Sequence, residues 1–342
     1  MTGPRDTLNR PLKNLRLSVT DRCNLRCAYC MPEEEYAWLA RPDVLSFEEI
    51  DFLVDRFGAL GVEQVRVTGG EPLVRKDLPL LLALLAKKPW LKDLALTTNG
   101  VLLGEQARAL KDAGLHRLTV SIDTLQPARF RAITRRDSHG AVMAGLAEAV
   151  RVGFSGGLKL DAVVLRGVND DERVPLLDFA AGVNAELRFI EYMDVGGATR
   201  WRREDVVSRA EMLEQLSKVF GSIEALGGRG AAPAERFRLP DGRTFGVIAS
   251  TTQPFCRACD RARVTADGTF FTCLYASAGL DLKAALRRGD DAQTIEATLR
   301  SRWSGRTDRG AEQRLALRDR GPLASAAELK GAPHLEMHTR GG

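Results

Sequence analysis

Histidine is scarce in this chain. There are four in 342 residues, at 116, 139, 334 and 338, and none lies near a cysteine. Zinc sites that close their shell with histidine therefore have no obvious donor here. Aromatic residues make up 6% of the chain, too few for the basic–aromatic interleaving of single-strand nucleic-acid binders. No apolar run approaches the roughly 20 residues of a membrane span. The longest, 78–86, is interrupted by Pro79 and reads as a buried helix. The chain opens M-T-G-P-R-D without an apolar signal region, so the expectation is a cytoplasmic protein in a reducing compartment, where disulfides are disfavoured. A net charge of +5 and a pI near 9.0 mildly favour anionic partners. The excess is too small and dispersed to argue for nucleic acid, and Arg200, Arg202 and Arg203 read as a solvated face. No partner membrane or nucleic acid is expected.

Six cysteines are present, and they fall into two triplets: Cys23, Cys27 and Cys30, then Cys256, Cys259 and Cys273. Neither triplet has a fourth ligand in the obvious place. Polar Asp21, Arg22, Asn24 and Arg26 flank the first, which speaks against core packing, the ordinary fate of a lone cysteine. Three thiolates suit a cubane iron–sulfur cluster with one iron left open to a substrate. Zinc stays open as a rival for the second triplet, because its C-x2-C pair is shared with zinc sites.

Up to about residue 192, strand-like and helix-like segments alternate. Strands are expected over 15–19, 64–68, 94–98, 117–122, 158–165 and 186–192, each rich in Val, Leu or Ile. Most are nearly continuous in apolar character, as for strands buried on both faces. Helices are expected from Ser46, with a capping box to Glu49, and over 77–87, 104–113, 140–152 and 172–181. Six βα units in series imply an α/β fold, an incomplete (β/α)6 TIM-like barrel with its ligands at the carboxyl ends of the strands. After residue 195 the pattern loosens. A capping box at Ser208 and Glu211 opens a helix to about 220, and two hairpins are expected, 237–239 with 244–249 and 262–265 with 269–272. The expected organisation is a core over 1–195 and a small accessory region over 196–342 that carries the second triplet.

The first triplet directly follows the first strand, and Thr68-Gly69-Gly70-Glu71-Pro72 ends the second. Adjacent glycines let a ligand approach the backbone, and Glu71 offers a carboxylate to an ammonium group. Tyr29 and Met193 are placed to pack beside an adenine ring. Ser121 and Asp123, and Thr97 to Asn99, end the fourth and third strands, rims where polar residues tend to be functional.

C-N-L-R-C-A-Y-C with G-G-E-P resembles the radical S-adenosylmethionine superfamily. The run Cys256-Arg-Ala-Cys259-Asp-Arg261-Ala-Arg263, then Cys273, resembles the GTP 3′,8-cyclase family. So do L-R-L-S-V-T-D-R-C at 15–23, R-F-I-E-Y-M-D-V-G at 188–196 and the Gly341-Gly342 ending. Two departures stand out: Asp260 where that family usually has Asn, and no apolar residue before the last glycines. The resemblance implies two [4Fe-4S] clusters and S-adenosyl-L-methionine as cofactors, and GTP as substrate. Reductive cleavage would give a 5′-deoxyadenosyl radical that takes the ribose 3′ hydrogen of GTP. The resulting carbon radical would add to C8 of guanine, with the second cluster binding the base.

The resemblance also implies roles for named residues. Tyr29, Gly70, Glu71, Ser121 and Met193 would hold S-adenosylmethionine. Arg16, Arg66, Thr97, Lys159, Arg261, Ala262 and Arg263 would hold GTP, with Arg16, Arg261, Arg263, Gly341 and Gly342 at the reaction itself. Arginine suits the triphosphate because its fork makes charge-assisted, often bidentate bonds. Implied partners are a one-electron donor such as flavodoxin or ferredoxin, a downstream cyclic pyranopterin monophosphate synthase, and a second copy in a homodimer. Two other readings compete. One is a radical enzyme that matures peptides with an auxiliary cluster, although those usually carry many more cysteines. The other is a zinc-ribbon nucleic-acid-binding protein, which would hold zinc and no iron.

Overall fold

The structure, a computed structural model, describes residues 3–341. Its first half runs β1 (Asn14–Ser18), α1 (Phe47–Ala59), β2 (Gln64–Thr68), α2 (Leu78–Ala86), β3 (Asp93–Thr98), α3 (Leu103–Asp112), β4 (Arg117–Ser121), α4 (Pro127–Thr134), α5 (His139–Val152), β5 (Leu158–Val164), α6 (Arg173–Gly182) and β6 (Ala185–Glu191). Each strand pairs in parallel with the next. Then follow α7 (Arg209–Phe220), β7 (Glu224–Ala225), β8 (Glu235–Arg238), β9 (Thr244–Ile248), β10 (Arg261–Val264), β11 (Thr269–Phe271) and β12 (Leu280–Asp281), and five short helices: α8 (Leu282–Arg288), α9 (Ala292–Ser304), α10 (Gly310–Leu315), α11 (Ala326–Gly331) and α12 (Met337–Arg340).

Local chemistry accounts for the helix starts. Ser46 and Ser208 each accept a hydrogen bond from the amide three residues on, and Glu49 and Glu211 each accept one from the cap amide. Both expected capping boxes are present. A third, Ser325 with Glu328, opens α11.

Both expected hairpins form, but neither stands apart from the first six strands. β9 pairs in parallel with β6, and β10 in parallel with β1. The described strands therefore make one twelve-stranded sheet, ordered β12-β11-β10-β1-β2-β3-β4-β5-β6-β9-β8-β7. The chain after 195 lengthens both edges of that sheet and sets the second triplet beside the first strand.

The strands are not apolar on both faces, which corrects the reading from their composition. Side chains alternate along a strand. Leu15, Leu17, Val65, Val67, Leu94, Leu96, Leu118, Val120, Leu160 and Leu187 face the helices and are fully buried. Arg16, Arg66, Thr97, Ser121, Lys159 and Arg188 take the opposite face. Full burial of a Val or Leu stabilises by about 1.5–3 kcal/mol. The helix-facing layer thus offsets the cost of holding a charged inner face.

Candidate active site

That inner face encloses a cavity of about 680 Å³ lined by all six cysteines. Parallel pairing of β10, β1 and β2 puts Arg263, Arg16 and Arg66 level with one another, with Arg261 two residues below Arg263. Every expected site residue among the described ones lines the cavity except Ala262 and Gly341. Ala262 is buried in the core, so its methyl cannot reach a ligand and only its main chain is left for that part. Gly342 lies outside the described residues.

The arginines crowd each other. Burial first, then Arg263, Arg261 and Arg188, hold the Arg16 guanidinium well below its ordinary range. Burial with Arg16 and Arg188 brings Arg66 down to about 9, and burial with Arg261 brings Arg263 down to about 10. Arg66 donates to the hydroxyls of Thr97 and Thr119 at 3.1 Å. Arg263 donates to the carbonyls of Arg340 and Gly341. Among the described residues these hydrogen-bond partners are neutral, while the Asp161 carboxylate acts on Arg66 through space. Lys159 lines the cavity with its ammonium paired with Glu186 at 2.8 Å, and Glu186 also meets Arg236 at 3.0 Å.

Glu71 is 1% exposed and its carboxylate is already engaged. It accepts from Leu73 N at 3.0 Å, Thr98 Oγ1 at 2.7 Å and Asn99 N at 2.7 Å. Burial outweighs these donors and pushes its pKa up to about 7. It lines the cavity and also fixes the turn after β3, whose Asn99 reaches Asn24 of the first triplet. Gly70 likewise serves the chain itself, because a Cβ there would run into the carbonyl of Arg22. Tyr29 donates to Asp123 at 2.7 Å, and burial raises Asp123 to about 6.

Burial pushes up five of the six thiols, and Cys259 is the exception. Burial, with Glu71 acting on Cys23 and with Asp123 and Glu336 acting on Cys30, raises those thiols to about 11 and about 12. At Cys259 burial also acts upward, but Arg261 and Arg306 outweigh it and bring the thiol to about 6. Arg261 Nη2 donates to Cys259 Sγ at 3.3 Å, and Arg306 donates to the Cys259 carbonyl at 2.8 Å. Arg10 donates to the Cys256 carbonyl at 2.8 Å. Among the described residues no three Cys, His, Asp or Glu side chains converge where a single ion would sit. A cubane takes its thiolates at separate corners and needs no such convergence.

The sequence reading missed Arg188, Arg117 and Asp161. Arg188 donates to Asp161 at 2.7 Å and to Thr119 at 3.3 Å, and Arg117 pairs with Asp93. The signal was there in the period: polar residues recur at every second place along β4, β5 and β6.

Comparison with known proteins identifies the family. A model described as the radical SAM superfamily matches residues 17–180, and one described as Molybdenum Cofactor Synthesis C matches 185–312. GTP 3′,8-cyclase 1 of Mycobacterium tuberculosis is 55% identical over 342 residues, covering 99% of this chain and 95% of its own. GTP 3′,8-cyclase 3 of Mycobacterium bovis is 54% identical over 99% of this chain and 90% of its own. The GTP 3′,8-cyclase of Xanthomonas axonopodis is 44% identical over 94% and 97%. The crystal structure of Streptococcus suis SuiB bound to S-adenosylmethionine shares the fold, with a TM-score of 0.59 at 16% identity over 85% of this chain and 68% of its own. With a paired-triplet cavity and relatives this similar along its whole length, the chain belongs to the GTP 3′,8-cyclase family of radical S-adenosylmethionine enzymes.

Proposed function

We propose that the chain converts GTP to (8S)-3′,8-cyclo-7,8-dihydroguanosine 5′-triphosphate, the first step of molybdenum-cofactor biosynthesis. The observation that carries this reading is one cavity with three thiols from each triplet on its wall and a row of guanidiniums on the sheet face beside them. Cys23, Cys27 and Cys30 would hold one [4Fe-4S] cluster, and Cys256, Cys259 and Cys273 a second. The donor set fits: three thiols each, with Gly310 leaving Cys273 the room a Cβ would take. When bound, the first cluster and S-adenosylmethionine supply the radical that removes the ribose 3′ hydrogen.

The chain's own residues bind and orient. Tyr29, Gly70, Glu71, Ser121 and Met193 would flank S-adenosylmethionine. Arg16, Arg66, Arg261 and Arg263, with Thr97 and Lys159 nearby, would receive GTP. Like charges held this close in a buried site are costly, and a triphosphate relieves that cost by bonding several guanidiniums at once. Asp260, which stands where the family usually has Asn, accepts from Asn14 Nδ2 at 2.5 Å.

The eight parallel strands from β10 through β1–β6 to β9 support an incomplete barrel, with residues 1–195 as its core and 196–342 as the region carrying the second cluster. The reaction also calls for a one-electron donor such as flavodoxin or ferredoxin, and its product is the substrate of a cyclic pyranopterin monophosphate synthase. A cytoplasmic homodimer is part of this reading. Among the described residues no helix is long and apolar enough to cross a membrane.

The test is isotopic. The anaerobically reconstituted chain, given reductant, S-adenosylmethionine and GTP deuterated at C3′, should place deuterium in 5′-deoxyadenosine and release the cyclised product. Deuterium-free 5′-deoxyadenosine with no cyclised product would overturn the assignment.

A further inference from the structure

The last residues form a strap across both triplet loops. At one end, His334 Nε2 lies 3.2 Å from the Ser277 carbonyl, and its ring stacks on Phe271 at 6.2 Å. Arg340 donates to the carbonyls of His334 and Leu274 at 2.6 Å each and lies 4.2 Å over Phe271. Leu274 directly follows Cys273. At the other end, Gly341 packs on Thr68, where a Cβ would collide, and its carbonyl accepts from Arg263. Midway, Gly196 lets Met337 come against the chain that leaves β6.

His338 lies between these ends and is 3% exposed. Its partners come from the loop that follows the first triplet. Tyr36 meets the ring edge-on at 5.2 Å, and Trp38 at 5.6 Å. Arg26 covers the same two aromatics, at 5.7 Å from Tyr36 and 5.2 Å from Trp38, and donates to the Cys23 carbonyl at 2.8 Å. Glu336 Oε2 stands 3.0 Å from His338 Nδ1, a contact outside hydrogen-bond alignment. The loop is anchored in turn, since Leu39 N donates to Asp21 at 2.6 Å and Thr199 to Glu33 at 2.8 Å. One contact chain therefore runs from Cys23 through Arg26, Trp38 and His338 to Gly341 and Arg263.

We infer that His338 is a positioning residue, the catch that seats the tail strap in the Tyr36–Trp38 cage and so holds Gly341 against Arg263. The cage belongs to the first triplet's loop and the far end of the strap belongs to the second triplet's loop. The cavity is thus closed on this side only when both loops are in place. Aromatic edge contacts of this kind are individually modest, which suits a catch that opens to admit substrate. The effect on turnover rests on the cyclisation proposed above; the latch itself does not.

The test uses the full-length reconstituted chain and two readouts. Hydrogen–deuterium exchange over 333–341 and 33–38 reads the latch without reference to activity. His338→Ala should speed exchange in both segments and lower the cyclised product about tenfold, while 5′-deoxyadenosine is still formed. Trp38→Ala should do the same, and the double variant should be no worse than either single one. His338→Phe, which keeps the ring and loses the Glu336 contact, should recover most of both. Unchanged exchange in His338→Ala would overturn the latch. So would losses that multiply in the double variant. Faster exchange with undiminished cyclisation would refute the positioning role. Faster exchange in a chain whose unsubstituted form makes no cyclised product would sink the functional reading and leave the latch standing.

Discussion

Among the described residues, Arg263 donates to the carbonyls of Arg340 and Gly341, and Arg261 donates to the Cys259 thiol with the Phe255 ring 4.7 Å away. Replacing either with Ala should weaken GTP binding by about 1.5–3 kcal/mol, roughly ten- to a hundredfold. Titration with GTP, GDP and GMP checks it: the loss should shrink as terminal phosphates are removed. Glu71 supports a different measurement. Its folded pKa, about 7 against an ordinary 4.5, means that the folded state keeps a proton the unfolded chain has lost. The associated stability is complete below about 4.5 and lost as pH rises through about 7, up to about 3 kcal/mol. Denaturation of the cluster-free chain across that window should show the decline, and Glu71→Gln should flatten that part of it. The residues of the site were legible where chemistry is rare, as with cysteine, or costly, as with Arg16 and Arg66 in strands. Arg188, Arg117 and Asp161 were not singled out, because the strands were read by apolar content and not by their period of two.

Elements with local rules were legible, and their partners were not. Ser208 caps α7 through the box with Glu211, and the four-letter pattern sufficed to see it. Ser208→Ala should cost about 1 kcal/mol in denaturant unfolding, with GTP turnover per folded molecule unchanged. A turn such as Asp267-Gly268 similarly announces its hairpin. Nothing local announces that β10 pairs with β1 or β9 with β6, since those contacts join segments hundreds or tens of residues apart and are decided by packing. The same limit hid the strap, whose His338 finds its cage about 300 residues upstream.

The whole molecule brings the two triplets to one cavity by setting β10 alongside the first strand. Arg10 and Arg306 hold the second triplet's main chain at Cys256 and Cys259, while Arg26 holds that of the first at Cys23. Loss of the second triplet should therefore leave the first competent. Cys256→Ala should still cleave S-adenosylmethionine, with GTP conversion abolished, as measured by 5′-deoxyadenosine and cyclised product side by side. Deleting Gly341 and Gly342 should give a similar split with most GTP affinity retained.

The central claim is that each triplet holds its own four-iron cubane. Iron and acid-labile sulfide counting after anaerobic reconstitution tests it most directly. The account predicts about eight irons per chain, falling to about four when Cys256, Cys259 and Cys273 are all replaced with Ala. About four irons in the unsubstituted chain, with zinc making up the second site, would contradict it.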